Sequence, residues 1–315
     1  MNLSEKNTVD IRVKKMDLRI DKLHGIIVPL VTPLLDTETL DRAGIERLVE
    51  HVLAGGVHGL FLLGTTGEGP DLSPRLQRAL LQAVIPQVKR RVPVLVGITD
   101  TSFEESIALA NDAAAAGADA VVLAPPCYFP AGQPELLEYL QHLTPRLPLP
   151  LLLYNMPGMT KTEIQVETLR QAAALPGIVG FKDSSGDMIK FHQCLEALGG
   201  RSDFSILMGP EELLAEAVLF GGDGGVSGGA NLFPELYVHL YDAARQCCLT
   251  AVRDLQHRIF QVRRLYALGN YASSIIKGIK CALHLKGICN DALAEPFNHF
   301  LLGERQQVAR LLEDL

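Results

Sequence analysis

Eight short apolar segments alternate with longer amphipathic segments between residue 24 and about residue 248, and this alternation restricts the possible folds more than any other feature. Each apolar segment is too short for a typical helix and is rich in Val, Ile and Leu. The segments are apolar along their whole length, which is typical of parallel strands covered by helices on both faces. They are Gly25–Val31, Gly59–Leu63, Val94–Gly97, Ala120–Ala124, Leu151–Tyr154, Ile178–Phe181, Ser205–Met208 and Gly224–Val226.

The segments between these strands have the spacing of helices. Asp41 begins one of them as an N-cap, and Ser102 with Glu105 forms a capping box at the start of another. Eight strand–helix units predict an α/β fold, a (β/α)8 TIM barrel over residues 23–248. An open doubly wound sheet remains the alternative, because periodicity does not reveal whether a sheet closes. The predicted helices cover residues 41–54, 73–90, 103–116, 133–146, 163–174, 188–198, 211–220 and 233–248.

Two flanking regions differ from the barrel pattern. Residues 1–22 mix acidic and basic side chains and lack the apolar centre of a signal peptide, which predicts an N-terminal arm before the barrel. Residues 249–315 keep a helical pattern but contain no further strand signal. We expect them to form a C-terminal helical domain that packs on the barrel.

The overall composition excludes several classes of function. The net charge of −7 leaves no basic face for nucleic acid, and the absence of Trp disfavours a binder that stacks bases. No apolar run reaches the length of a membrane span. The six cysteines form no C-x-x-C pair, which is typical of reduced thiols. We therefore expect a soluble cytoplasmic protein that binds neither nucleic acid nor membrane.

Lys182 directly follows the sixth apolar segment and precedes the polar segment Asp183–Gly186. Barrel enzymes place their chemistry on the loops after the strands, so this lysine is expected to reach a pocket. A lysine that loses solvent there loses its preference for the charged form and becomes available as a nucleophile. An isolated lysine is more often a surface residue, so the interpretation depends on the neighbouring loops.

Three of those loops carry candidate functional groups. Gly64–Gly69 places two threonine hydroxyls and backbone N–H groups between glycines, which suits a carboxylate, although a plain glycine-rich turn has the same composition. Tyr154 ends the fifth segment and is able to transfer protons if its hydroxyl has a hydrogen-bond partner. The alternative, which is more frequent for a tyrosine at a strand end, is a role in hydrophobic packing. Tyr128 lies in the rigid loop Pro125–Pro130, for which packing or an oligomer contact is the alternative.

Metal and phosphate sites are not expected. The nine histidines show no H-x-H or H-E-x-x-H spacing, and the two nearest to predicted strands, His24 and His58, lie at strand starts. The glycine-rich segment Gly221–Asn231 has the location of a barrel phosphate site. However, Arg201 is the only cation between Lys190 and Arg245, which disfavours bound phosphate.

Three motifs at strand ends together resemble a known family. They are G-T-T-G-E at Gly64–Glu68, Y-N-x-P at Tyr154–Pro157 and G-x-K-D at Gly180–Asp183. In this order they resemble the dihydrodipicolinate synthase / N-acetylneuraminate lyase family, over the chain from about residue 24. The resemblance implies a class I aldolase with a (β/α)8 barrel, which forms a Schiff base with pyruvate or another 2-oxo acid and uses no metal or organic cofactor.

The resemblance also implies roles for individual residues. Lys182 corresponds to the Schiff-base lysine, and Tyr154 to the tyrosine that moves protons at the reacting centre. Thr65 is implied to link Tyr154 to a second tyrosine. Thr65, Thr66 and Gly67 are implied to hold the carboxylate of pyruvate.

Three further positions are assigned by the same resemblance. Tyr128 matches the second tyrosine, which in the family reaches into the site of a neighbouring subunit. Gly209 and Val226 fall where family members approach the bound keto acid with backbone groups. A homotetramer or homodimer is therefore expected.

Residues at two places in the sequence bear on the choice of substrate within the family. Dihydrodipicolinate synthases carry an arginine two residues after the Pro of Y-N-x-P, and here Met159 occupies that position. A thioether makes no bidentate hydrogen bonds to a carboxylate. Glu211 and Glu212 lie where sialic-acid lyases direct acidic residues at sugar hydroxyls. Glu211 and Met159 are therefore expected to bind substrate by shaping the distal part of the pocket.

The leading prediction is a lyase that cleaves or forms a carbon–carbon bond between pyruvate and an aldehyde. The expected substrate is a 2-keto-3-deoxy sugar acid or a sialic acid. A 4-hydroxy-tetrahydrodipicolinate synthase remains an alternative that Met159 disfavours. Two further candidates are a dehydratase of the same family and a non-catalytic 2-oxo-acid-binding protein.

Overall fold

A closed barrel of eight parallel strands forms the centre of the structure, a computed structural model that describes residues 20–315. The barrel strands are β1 (Gly25–Pro29), β4 (Gly59–Leu62), β5 (Val94–Gly97), β6 (Ala120–Leu123), β7 (Leu151–Asn155), β8 (Ile178–Asp183), β9 (Ser205–Met208) and β10 (Gly224–Val226). Their order around the barrel is β1-β10-β9-β8-β7-β6-β5-β4, with β4 pairing back to β1. Closure confirms the predicted barrel and excludes the open sheet.

The barrel strands are apolar along their whole length because they contribute side chains to two separate hydrophobic cores, one outside and one inside the barrel. Ile26 and Val28 of β1 face the helices, whereas Ile27 between them faces the barrel interior. Because neighbouring side chains point to opposite faces, a strand buried on both sides must be apolar at every position. The interior core also contains Phe61 and Tyr154, which therefore lie on the inner face of the barrel.

Helices cover the outside of the barrel, and most begin close to their predicted positions. Asp41 caps the first helix by accepting a hydrogen bond from the Gly44 backbone N–H at 2.8 Å. The helices are α1 (Arg42–Ala54), α2 (Pro74–Val88), α3 (Phe103–Ala116), α4 (Gln133–Leu143), α5 (Pro157–Thr160), α6 (Val166–Ala172), α7 (Met188–Leu198), α8 (Leu214–Leu219), α9 (Pro234–Arg245), α10 (Leu249–Arg263), α11 (Ser274–Leu285) and α12 (Leu302–Glu313). The last three form a C-terminal extension. None of the described helices is both long and apolar enough to span a bilayer.

Two local features differ from the sequence prediction. A small hairpin, β2 (Leu34–Asp36) and β3 (Thr39–Leu40), follows the first barrel strand and was not predicted. The strand β8 also continues to Asp183, so Lys182 lies inside the strand rather than after it. This extension fixes the backbone of Lys182 by pairing on both sides.

The predicted N-terminal arm, residues 1–22, lies mostly outside the described residues, which begin at residue 20. Ile20 packs against the interior core, and the Lys22 Nζ atom pairs with Asp223 Oδ1 at 2.7 Å. Both contacts are made at the end of the barrel where the strands begin. Residues 20–22 therefore already belong to the packed barrel.

Candidate active site

Lys182 projects into the interior of the barrel near the carboxyl end of β8. Its neighbour Phe181 packs in the outer core, so the alternation of the strand directs Lys182 inward. The side chain is buried, with 5% of its surface exposed. Its Nζ atom lies 4.0 Å from the ring centroid of Tyr154 and 5.3 Å from that of Phe61. None of the ion pairs found among residues 20–315 involves Lys182, so no carboxylate there restrains its amine.

Tyr154 is held beside this amine by strand pairing. It ends the apolar part of β7 and lies opposite Lys182 in the register of β7 and β8. Its hydroxyl is 3.4 Å from the Thr65 Oγ1 atom, within hydrogen-bonding distance. Burial acts to raise the pKa of Tyr154, but the charge of Lys182 and hydrogen bonds with Thr65, Ser184 and Lys182 outweigh it and lower the pKa. A phenol with a lowered pKa is well suited to proton transfer.

The glycine–threonine segment after β4 forms a tightly wound turn, Gly64–Glu68, which we call the threonine turn. Gly67 donates its N–H to Gly64 O at 3.0 Å, and Glu68 donates to Thr65 O at 3.2 Å. Within the described part of the chain, the N–H groups of Thr65 and Thr66 have no such acceptor. The N–H of Gly67 is thus engaged inside the turn, and the contact of Gly67 with a carboxylate stays a prediction.

Gly67 also packs closely against the barrel. A Cβ atom there would lie 2.8 Å from Leu30 O, so the close approach requires glycine. Its carbonyl accepts a hydrogen bond from Thr32 Oγ1 at 2.7 Å. The donors of the turn that remain without an acceptor among the described residues are the backbone N–H groups of Thr65 and Thr66.

Asn155 and Asp183 brace the two strand ends that carry the tyrosine and the lysine. Asn155 Nδ2 donates to Asp183 Oδ1 at 2.7 Å, and Asn155 Oδ1 accepts from Ile164 N at 2.9 Å. The N–H and hydroxyl of Ser185 also donate to Asp183, at 3.1 and 2.9 Å. The Asn of Y-N-x-P and the Asp of G-x-K-D thus hold the loops in place.

Gly209 and Val226 lie close to the same end of the barrel. Val226 belongs to the interior core together with Tyr154 and is 3% exposed. Gly209 donates its N–H to Asp183 O at 2.7 Å, and a Cβ atom there would lie 1.9 Å from Ser184 Oγ. Gly209 is therefore required for the position of Ser184, whose contact with Tyr154 was not predicted from the sequence. Backbone contact of either residue with a keto acid stays a prediction.

Glu211, the predicted substrate-binding carboxylate, accepts hydrogen bonds from the protein at both of its oxygens. Its Oε1 atom accepts hydrogen bonds from the hydroxyls of Tyr237 at 2.7 Å and Tyr266 at 2.8 Å. Its Oε2 atom accepts from Gly229 N at 2.8 Å. Burial raises the pKa of Glu211 although these donors oppose the shift. With both oxygens occupied and the side chain buried, Glu211 holds the turn after β10, and its contact with a substrate stays a prediction.

Removing this carboxylate should reduce stability more than it changes substrate binding. In Glu211→Ala, two hydroxyls and one N–H lose their buried acceptor, so we expect the free energy of unfolding to fall by about 3 kcal/mol. Tyr237→Phe, which removes only one donor, should cost about 1 kcal/mol. Urea denaturation measures both values. A Glu211→Gln variant of unchanged stability but with a raised KM would instead support the original assignment.

Met159 and Tyr128 lie apart from the buried centre. Met159 is in the short helix α5 after β7 and is 51% exposed. Tyr128 is 78% exposed, has a positive φ of 79°, and contacts Phe129 edge to face at 5.1 Å between ring centroids. The structure does not bring Tyr128 to Tyr154 within one chain. Its predicted position in a neighbouring subunit's site remains a prediction.

Comparisons with known proteins cover most of the chain and show the family to which it belongs. The sequence profile of the Dihydrodipicolinate synthetase family matches residues 22–315. A solved dihydrodipicolinate synthase from Bacteroides thetaiotaomicron is 52% identical, with a TM-score of 0.91 and coverage of 93% of this chain and 99% of that one. The Escherichia coli protein named "Probable 2-dehydro-3-deoxy-D-pentonate aldolase YjhH" is 33% identical over 81% of this chain and 86% of its own.

A third comparison concerns a bound molecule. The structure of YagE from Escherichia coli K12, a prophage protein of the dihydrodipicolinic acid synthase family, was solved in complex with pyruvate. It is 28% identical to this chain and has a TM-score of 0.87, with coverage of 92% of this chain and 98% of YagE. This chain therefore shares its overall fold with a protein that was solved in complex with pyruvate.

Proposed function

Since the chain belongs to the Dihydrodipicolinate synthetase family, whose members are lyases, we propose that it joins or splits a carbon–carbon bond between pyruvate and an aldehyde through a Schiff base on Lys182. The observation that carries the proposal is the buried Lys182 amine, placed 4.0 Å from the ring centroid of Tyr154. An amine in this position is both sheltered and free of a carboxylate partner among the described residues. These are the conditions that favour a nucleophilic lysine.

The proposed cleavage begins with attack of the Lys182 amine on the C2 carbonyl of the substrate. The carbinolamine loses water after its hydroxyl is protonated, and an iminium ion forms. The C4 hydroxyl then loses its proton, the C3–C4 bond breaks, and its electron pair moves to the iminium nitrogen to give an enamine and an aldehyde. Protonation at C3 and hydrolysis release pyruvate and restore the amine. Synthesis follows the same steps in reverse.

The neighbouring groups supply orientation and proton transfer. The hydroxyls and N–H groups of Thr65 and Thr66 are proposed to bind the carboxylate of the 2-oxo acid, which fixes C2 against the lysine. Tyr154 is proposed to protonate the departing hydroxyl and to accept the proton of the C4 hydroxyl. The iminium ion acts as the electron sink, so the proposal needs no metal or organic cofactor.

For the substrate, we propose a 2-keto-3-deoxy sugar acid. The uncharged side chain of Met159 disfavours an aldehyde that carries its own carboxylate. The name of the 33% identical Escherichia coli relative, a pentonate aldolase, is consistent with this choice. The sialic-acid option loses its main argument, because Glu211 is occupied by Tyr237, Tyr266 and Gly229.

One observation favours a second candidate, the synthase. The 52% identical Bacteroides thetaiotaomicron structure is that of a protein named a dihydrodipicolinate synthase. Met159 argues against this activity, because a synthase must bind the carboxylate of aspartate semialdehyde. A dehydratase of the same family would use the same Schiff base but would release water instead of pyruvate.

A substrate panel separates these candidates. We expect pyruvate release from 2-keto-3-deoxypentonate or 2-keto-3-deoxygluconate, measured with a coupled dehydrogenase assay, at a kcat/KM at least about tenfold above that for N-acetylneuraminate. Condensation of pyruvate with aspartate semialdehyde should be slower by a similar factor. A dehydrated oxo acid as the main product would identify a dehydratase. Calorimetric pyruvate binding without any turnover would identify a non-catalytic binding protein.

The assembly and location are proposed on separate grounds. We propose a homotetramer or homodimer, because Tyr128 and Phe129 expose two adjacent aromatic side chains that a second subunit would cover. Analytical ultracentrifugation tests this point. A cytoplasmic location is proposed from the cysteines, which are all free in the described part of the chain.

A further inference from the structure

A buried ion pair joins the threonine turn to the C-terminal extension. Lys280 of α11 donates from Nζ to the Glu68 Oε1 atom at 2.6 Å. Both side chains are completely buried, with exposed fractions of 0%. The second carboxylate oxygen of Glu68 accepts from Ala294 N at 2.8 Å. Both oxygens of Glu68 are thus held by residues of the extension.

The backbone of the threonine turn needs an external restraint. Leu63, directly before the turn, has a φ of 58°, and Glu68 at its end has a φ of 57°. These are left-handed backbone conformations, which are unfavourable for residues other than glycine. They persist only where surrounding contacts hold them. Thr32 holds the turn from the barrel side through Gly67 O at 2.7 Å. The pair of Glu68 and Lys280 holds it from the other side.

A contribution to the stability of the fold does not by itself explain why Glu68 and Lys280 form a charged pair rather than an apolar one. Two charges that leave water lose their hydration, and an apolar pair of similar size is often as stable. A charged hydrogen bond, however, fixes distance and direction more strictly than an apolar contact. The pair is therefore well suited to setting the position of the turn.

We propose that Glu68 and Lys280 are positioning residues, which hold the hydroxyls and N–H groups of Thr65 and Thr66 at the distance required for the carboxylate of the 2-oxo acid. This inference rests on the proposed function, because it takes the threonine turn as the carboxylate site. It also assigns a role to the C-terminal extension. The extension completes the active site from outside the barrel without contacting the substrate.

Two variants test the proposal. Lys280→Met leaves the Glu68 carboxylate buried without its cation, so this variant can fail to fold. The double variant Glu68→Gln with Lys280→Met removes both charges and keeps an oxygen for Ala294 N. Two measurements follow for each folded variant. They are hydrogen exchange of the peptide that covers residues 64–68, and borohydride trapping of the Lys182 adduct over a range of pyruvate concentrations.

Lys277→Met is the matched control. Lys277 is a second buried lysine of α11, but its Nζ atom contacts Asn298 Oδ1 at 2.6 Å and the Tyr271 ring, both within the extension. In the double variant we expect faster exchange at residues 64–68 and a half-saturating pyruvate concentration raised about tenfold, with much less change in the trapping rate at saturation. The control should show neither effect, even if its thermal stability falls.

The outcomes separate this inference from the proposed function. The inference would be overturned if the double variant matched the Lys277→Met control in hydrogen exchange at residues 64–68 and in half-saturating pyruvate concentration. The pair would then be only structural. Absence of an adduct at Lys182 in the wild-type protein would overturn the proposed function instead. The exchange data would then still decide whether the pair positions the turn.

Discussion

Lys182→Ala should produce no borohydride-trapped adduct with pyruvate and should lower kcat by about four orders of magnitude or more. The substitution removes the only group to which the mechanism attaches the substrate. Its fold should persist, because Lys182 makes no ion pair within the described residues and its surroundings are the apolar rings of Tyr154 and Phe61. Mass spectrometry of the reduced, digested protein measures the adduct, and pyruvate release measures the turnover.

Lys22→Ala serves as a control for this experiment. Lys22 pairs with Asp223 at 2.7 Å at the opposite end of the barrel, away from the loops that follow the strands. Its loss should leave both the adduct and the turnover unchanged. Circular dichroism and thermal unfolding would establish that both variants are folded. An adduct on a different lysine, or turnover retained in Lys182→Ala, would contradict the Schiff-base assignment.

The barrel was predictable because its strands are buried on both faces. Ile26, Ile27 and Val28 show the reason, since consecutive residues enter the outer core and the interior core in turn. Such strands are apolar at every position and are therefore visible in the sequence without any alignment. The hairpin of β2 and β3 was missed for the opposite reason. Leu34–Asp36 and Thr39–Leu40 are short and partly exposed, so they carry no apolar run.

The proximity of Lys182 and Tyr154 was predictable from the sequence, whereas the hydrogen-bond partners of Glu211 and Glu68 were not. Lys182 and Tyr154 each end an apolar segment, and neighbouring parallel strands bring such ends together. Glu211, in contrast, is engaged by tyrosines that lie 26 and 55 residues later in the chain. Glu68 meets a lysine 212 residues later. Periodicity carries no information about such pairs, so a structural carboxylate and a substrate-binding one have the same appearance in the sequence.

Tyr154→Phe is the second change with a large expected effect, because it removes the proton-transferring hydroxyl and keeps the ring. We expect kcat to fall by about two orders of magnitude or more. The Lys182 adduct should still form with pyruvate, although more slowly, since the ring that packs at 4.0 Å from the Lys182 Nζ atom is retained. Stopped-flow trapping with borohydride separates adduct formation from turnover. An equal fall in the rate of adduct formation and in kcat would show that Tyr154 acts only in the steps that form the adduct.

The pH dependence of kcat/KM gives an independent test of the same residue. The charge of Lys182 and the hydrogen bonds of Thr65 and Ser184 overcome burial and lower the pKa of the Tyr154 phenol. Because Schiff-base formation needs a proton donor, kcat/KM should decline on the alkaline side as the phenol loses its proton, at a pH below the usual phenol pKa of about 10. This decline should be absent in Tyr154→Phe. In Thr65→Val, which removes one of the hydrogen bonds that lower the pKa, the decline should move to higher pH. A decline at the same pH in all three proteins would assign the titration to another group.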